Sequence, residues 1–189
     1  MESLTKLFGS PARLKMLRLF VFNQDASFTL AEIVKRTKLS KEVVQDDLKE
    51  LCVIGFLRKK GMRATARYQL NQRFEYLAPL NVFIRDTTSV RPRAMIAILR
   101  RAGTLQLVAL SGFFTGVLES QVDLLIVGDN LEERVLAQAV HSLEAELGRE
   151  IRYASFATPD FRYRIGVYDR LFRDVFDYPH RLLIDKTGR

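Results

Sequence analysis

Along residues 29–70 the apolar positions fall first at helical and then at strand spacing. Leu30, Ile33 and Val34 share one face of a helix over 30–37, since residues three and four apart lie above one another on a 3.6-residue turn. Thr29 precedes that run and Glu32 stands three residues on, the capping-box arrangement that opens a helix. Leu39 and Ser40 close it and open a second helix over 41–51, in which Val44, Leu48 and Leu51 form the buried stripe. Gly55 then ends that helix, because glycine readily takes the left-handed conformation of a C-terminal cap. Residues 56–60, 61–63 and 64–70 read as strand, turn and strand. Helix, tight turn, helix and hairpin in this order predict a winged helix-turn-helix.

Beyond the hairpin, Phe74, Leu77, Leu80, Phe83 and Ile84 keep a helical period over 74–85. Pro79 interrupts it; an interior proline costs roughly 3 kcal/mol, so the helix is either kinked there or starts nearby. Such a segment serves equally as a domain connector or as a dimer helix. Residues 86–92 then mark a boundary, after which helix (93–101), a stop at Gly103, strand (105–111), a glycine turn, strand (122–127), helix (131–147), strand (151–156), helix (about 168–175) and a last strand (181–185) follow. Leu131, Val135, Ala139, Ser142, Leu143 and Glu146 carry the repeat of the long helix. Alternation of this kind indicates an α/β layer domain with a mixed sheet. The expected fold class is therefore α+β: a winged helix at 1–73, a connector or dimer helix at 74–92, and an α/β domain at 93–189.

Charge is distributed unevenly over these parts. The 189 residues carry +8, of which residues 1–88 (16 Lys/Arg, 9 Asp/Glu) hold +7 and residues 89–189 (14 and 13) only +1. An excess of positive charge coinciding with a helix-turn-helix points to phosphate attraction. On the second helix Lys41, Gln45 and Lys49 form an exposed stripe beginning near Ser40; lysine can reach guanine or phosphate, and glutamine can pair with adenine. Arg58, Lys59, Lys60, Arg63 and Arg67 make the hairpin cationic. Ser40, Lys41, Gln45, Lys49 and these five basic residues are the expected contacts to double-stranded DNA. Glu42 and Asp46 place negative charge beside them.

Other chemistry is sparse. One cysteine, Cys52, excludes an intramolecular disulfide, and among Leu51, Val53 and Ile54 it reads as a small hydrophobe. His141 and His180 are far apart and lack the spacing of a zinc site, and no phosphate-binding glycine loop or Gly-x-Ser-x-Gly element occurs. No cofactor or metal is expected. Apolar stretches such as 105–117 are short and interrupted, and no signal segment opens the chain, so the expected location is cytosolic. Arg162, Arg164, Arg170 and Arg173 interleave with Phe161, Tyr163, Tyr168 and Phe172. Nearby Asp160, Asp169 and Asp174 balance their charge, which favours a helix surface or partner interface over a nucleic-acid site.

Ser10–Phe20, Leu30–Val34, Leu39–Leu51 and Gly55–Leu57 together resemble ArsR-type winged helix regulators over about residues 4–70. That resemblance implies transcription regulation by a dimer. Asp46 departs from it, standing where such regulators often carry a basic or neutral residue. Glu50–Val53 is similar to the family's metal-binding thiolate motif, yet Ile54 replaces the second cysteine and the string ends the wrong helix. Metal sensing by that motif is rejected.

Val108–Gly116 followed by Ser120–Val127 resembles the core of the minimal, polymerase-beta-like nucleotidyltransferases, over about residues 95–185. In that family a Gly-Ser turn holds triphosphate, and alternate aspartates on the next strand share magnesium ions. Here Ser111-Gly112 is inverted, Gln121 occupies the first aspartate position, only Asp123 remains, and residues 151–156 supply no third carboxylate. Ser111, Gly112 and Asp123 are thus candidate remnants of a nucleotide site, and no catalytic residue is expected. The leading expectation is a sequence-specific regulator that binds double-stranded DNA as a homodimer, its second domain serving dimerisation, partner or ligand binding. Alternatives are an active nucleotidyltransferase targeted by the winged helix, and a winged helix used for protein interaction.

Overall fold

The computed structural model describes residues 6–62, 65–88, 91–117 and 120–188. Among them the chain is mixed α/β, with eight helices and seven strands. It divides into two units, residues 1–90 with 143–149 and residues 91–142 with 150–189. The sequence expectation put the break at 92/93 and gave 143–149 to the second part.

In the first unit, α1 (Pro11–Phe22) opens at Ser10, whose hydroxyl accepts the Arg13 amide at 3.0 Å. Pro11 at the first helical position has no amide to leave unpaired. There follow β1 (Ser27–Thr29), α2 (Leu30–Thr37), α3 (Lys41–Val53), β2 (Leu57–Lys60), β3 (Arg67–Leu70) and α4 (Leu77–Thr87). The strands form an antiparallel sheet in the order β1-β3-β2, with Phe28 opposite Tyr68 and Leu57 opposite Leu70. Strand β1 was not expected, being only three residues long. The core gathers Met16, Leu19 and Phe20 of α1, Ile33 of α2, and Val44, Leu48 and Leu51 of α3, with Phe56, Leu57 and Leu70. Helix α4 begins at Leu77, so Pro79 falls in the first turn, where an amide would have no helical partner anyway. Leu77, Leu80 and Ile84 face the core.

Residues 143–149 pack within this unit. Arg18, only 2 % exposed, donates to the Glu146 carbonyl at 2.9 Å and to the Thr88 hydroxyl at 3.0 Å. Asn23 reaches the Gly148 carbonyl at 2.7 Å. Gly148 has φ +77°, and a Cβ there would lie 2.6 Å from backbone atoms of Arg18 and Leu19. Only glycine allows this approach.

In the second unit, α5 (Pro92–Leu99) and a short 3₁₀ turn lead into β4 (Thr104–Leu110), then β5 (Leu124–Asp129), α6 (Glu133–Leu147, of which residues from 143 on belong to the first unit), β6 (Tyr153–Phe156), α7 (Thr158–Gly166), α8 (Arg170–Phe176) and β7 (Arg181–Asp185). The sheet order is β6-β5-β4-β7, with β5 and β6 parallel and the other pairs antiparallel, so the sheet is mixed. Leu107, Ala109, Leu125 and Val127 pack against Phe161 of α7 and Phe172 and Val175 of α8. Helix α7 was missed because its arginine-rich face masks a single buried anchor, Phe161. On α6 the buried positions within this unit are Leu136, Ala139 and Val140; Ala139 was expected, whereas Leu136 takes the place expected for Val135. Among the described residues no helix is long and apolar enough to cross a membrane.

Candidate nucleic-acid interface

The first unit holds α2 and α3 across a tight turn. Thr29 and Glu32 form the full capping box: the Thr29 hydroxyl accepts the Glu32 amide at 3.3 Å, and the Glu32 carboxylate accepts the Thr29 amide at 2.7 Å. That amide above all holds the Glu32 carboxyl below its ordinary range; burial opposes it, and the Thr29 hydroxyl and the nearby Arg67 add to the lowering. Lys38 closes α2 at φ +55° and donates its amide to the Val34 carbonyl at 3.0 Å. Helix α3 is tied to α1 by Arg13, whose guanidinium grips Asp47 at 2.6 and 2.9 Å and also meets Glu50.

Between α2, α3 and the β2–β3 hairpin lies a concave surface of about 880 Å³. From α3 it receives Lys41, Gln45 and Lys49; from the hairpin side Lys59, Ala66 and Tyr68; from α2 Leu30, Ala31, Val34 and Lys35. Three expected α3 residues and one expected hairpin residue therefore meet. Lys59 stands opposite Tyr68 in the strand register, its ammonium 5.9 Å from the ring centroid. Lys49 lies 3.2 Å from Asp46, so the acidic residue that departs from the expected pattern sits on a lysine of the same helix.

The other expected residues are placed differently. Ser40 is the N-cap of α3, its hydroxyl accepting the Val43 amide at 3.4 Å. Arg58 and Lys60 are exposed and alternate with Lys59, so they project from the opposite side of β2. Arg67 is tied inward: it donates to the Ser27 hydroxyl at 2.9 Å and to the Ser27 carbonyl, and lies 3.4 Å from Glu32. Arg63 lies outside the described residues. Sequence reasoning missed Lys35 and Tyr68; Lys35 sits one position past the apolar Val34, at the groove edge of α2.

Ser111, Gly112 and Asp123 do converge in the second unit. Asp123 is 1 % exposed. Its Oδ1 accepts the Phe113 amide at 2.8 Å and Arg152 Nη2 at 2.7 Å, and its Oδ2 accepts Arg152 Nε at 2.9 Å and the Arg152 amide at 3.0 Å. Burial alone would raise this carboxyl, but the Arg152 guanidinium and the Phe113 and Arg152 amides outweigh it and hold the group below its ordinary range. Gly112, at φ +51°, leaves the space: a Cβ there would lie 2.3 Å from Asp123 Oδ1. Ser111 donates its hydroxyl to the Val122 carbonyl. Together these contacts fasten the turn after β4 to the start of β6. Arg152, the residue that neutralises Asp123, carried no motif in the sequence.

The arginine-aromatic segment separates in the same way. Phe161 and Phe172 are core residues, while Arg164 pairs with Asp169 at 2.7 Å and Arg173 with Asp177 at 3.2 Å. Asp174 accepts the Ser120 hydroxyl at 2.9 Å and the Gln121 amide at 2.8 Å. Cys52 is partly buried, and burial pushes its thiol up. Comparison with protein-family models, with curated proteins and with solved structures gives no match.

Proposed function

We propose that this protein is a sequence-specific double-stranded DNA-binding transcription regulator whose first unit is a winged helix-turn-helix of the ArsR-like kind. The observation that carries the reading is the groove in which Lys41, Gln45 and Lys49 of α3 face Lys59 of the hairpin and Lys35 of α2, with no carboxylate among its lining residues. Helix α3 enters the major groove; Gln45 reads a base edge through its amide, and the lysines meet guanine or phosphate. Arg58 and Lys60, on the outer side of β2, meet flanking phosphates.

The second unit is a nucleotidyltransferase-like domain without catalysis. Supporting this, the one carboxylate left from the family's set has both oxygens engaged by four donors and its charge balanced by Arg152, whereas two-metal chemistry needs several anionic oxygens open to the ions. The regulator acts as a homodimer. Helix α4 supports that part of the reading by leaving Val82 and Phe83 exposed beside its buried face.

Replacing Gln45 by Ala tests the docking. Discrimination at one base position should fall by about 1–3 kcal/mol in competition binding, while Lys60→Ala should weaken every duplex alike and flatten the salt dependence by about 0.9 in log–log slope. Unchanged binding by both variants would remove the docking model.

A further inference from the structure

The proposed DNA contacts use the rim of the groove and leave its floor unassigned. Leu30, Ala31, Val34 and Ala66 line it, whereas phosphates and base edges are recognised mostly by charges and hydrogen-bonding groups. Leu30 and Val34 belong to the margin of the core, and Ala31 is exposed. A volume of about 880 Å³ falls within the range of small-molecule clefts, which are mostly apolar with a few directing polar groups. Here the charged groups at the rim have one sign: Lys35, Lys41, Lys49 and Lys59. An apolar floor inside a cationic rim selects a molecule with an apolar body and an anionic end.

We propose that this groove binds a small amphipathic carboxylate, its chain on Leu30, Ala31 and Val34 and its head against the rim lysines. Asp46, 3.2 Å from Lys49, offsets one of these charges and leaves the rim net positive. The bound molecule covers Gln45 and Lys41 and so displaces DNA. Displacement rests on the proposed DNA reading; binding of the carboxylate does not.

The test uses the full chain without DNA, titrated calorimetrically with decanoate below its micellar range. Decylammonium carries the same tail with the opposite charge, and acetate carries the head alone. The expected result is one decanoate per chain and no binding of decylammonium or acetate. Ala31→Glu places a carboxylate in the floor near the N-terminus of α2, where it is compatible with the helix. That variant should fold with an unchanged circular dichroism spectrum and bind decanoate at least about tenfold more weakly, the scale of one lost charge-assisted contact. Absence of decanoate binding, equal binding of decylammonium, or undiminished binding by folded Ala31→Glu would each overturn the site. A separate DNA titration with and without decanoate reads displacement. Decanoate binding by a chain that binds no DNA would leave the site standing and remove the DNA reading, whereas DNA binding indifferent to bound decanoate would overturn the displacement alone.

Discussion

Asp123 shows how a residue type that suggests chemistry can be used for architecture. The buried carboxylate collects four hydrogen bonds, and Gly112 is glycine because any Cβ would strike it. Asp123→Ala should therefore destabilise the chain by about 2–4 kcal/mol in denaturant unfolding, with Arg152, 42 % exposed, recovering part of its solvation. The pH dependence follows from the depressed carboxyl. A group whose folded pKa lies below its unfolded value contributes stability above the unfolded value, about pH 4, and loses it as pH falls through the folded one. Unfolding free energy should thus decline below about pH 4 in the native protein, and less steeply in Asp123→Asn, which no longer titrates at this position. An identical acid profile in the two proteins would contradict that assignment. In the sequence Asp123 could be read as a lone carboxylate on a turn, but its partner could not be named: Arg152 is 29 positions away and is brought to it only by the parallel pairing of β5 and β6.

At the scale of elements, the regions most legible in the sequence are those whose signals are local. The capping box at Thr29 and Glu32, the buried stripe Val44, Leu48 and Leu51, and the left-handed Gly55 at φ +76° all stand as the sequence indicated. Thr29→Ala should lower stability by about 1 kcal/mol, the usual cost of losing an N-cap acceptor, measurable by chemical denaturation. A loss near zero would mean that tertiary packing alone sets the start of α2. Signals that depend on distant partners were lost. Strand β1 is too short to show a period of two and exists because Ser27–Thr29 pairs with Arg67–Gln69. Helix α7 buries one phenylalanine among arginines, and on α6 Ala139 and Leu143 are buried as the pattern suggested while Leu136 rather than Val135 fills the turn before them. Within the candidate site the α3 residues were legible because helical spacing alone aligns Lys41, Gln45 and Lys49. Lys35 and Tyr68 were not, since they join the groove only when α2 and β3 are folded against α3. Arg67 and Ser40 were read as DNA contacts from charge and position; Ser40 caps its own helix, and Arg67 is engaged by Ser27, 40 positions away.

For the whole molecule, the asymmetry of charge and the exposed apolar face of α4 lead to separate consequences. Nearly all of the +8 lies in residues 1–88, so DNA affinity should be strongly salt-dependent and should reside in the first unit. Val82 is 60 % exposed on α4; if that face joins two copies, Val82→Glu should shift the protein from dimer to monomer in sedimentation velocity without loss of helicity. An unchanged dimer would place the interface elsewhere. Recognition of a specific duplex sequence can be read by selecting from a random duplex DNA pool with the full-length protein at near-physiological salt and excess nonspecific competitor. Enrichment of one motif, arranged as an inverted repeat and lost in Gln45→Ala, is expected of a dimer whose α3 reads base edges. A folded protein that enriches no sequence, or enriches the same one without Gln45, would contradict it.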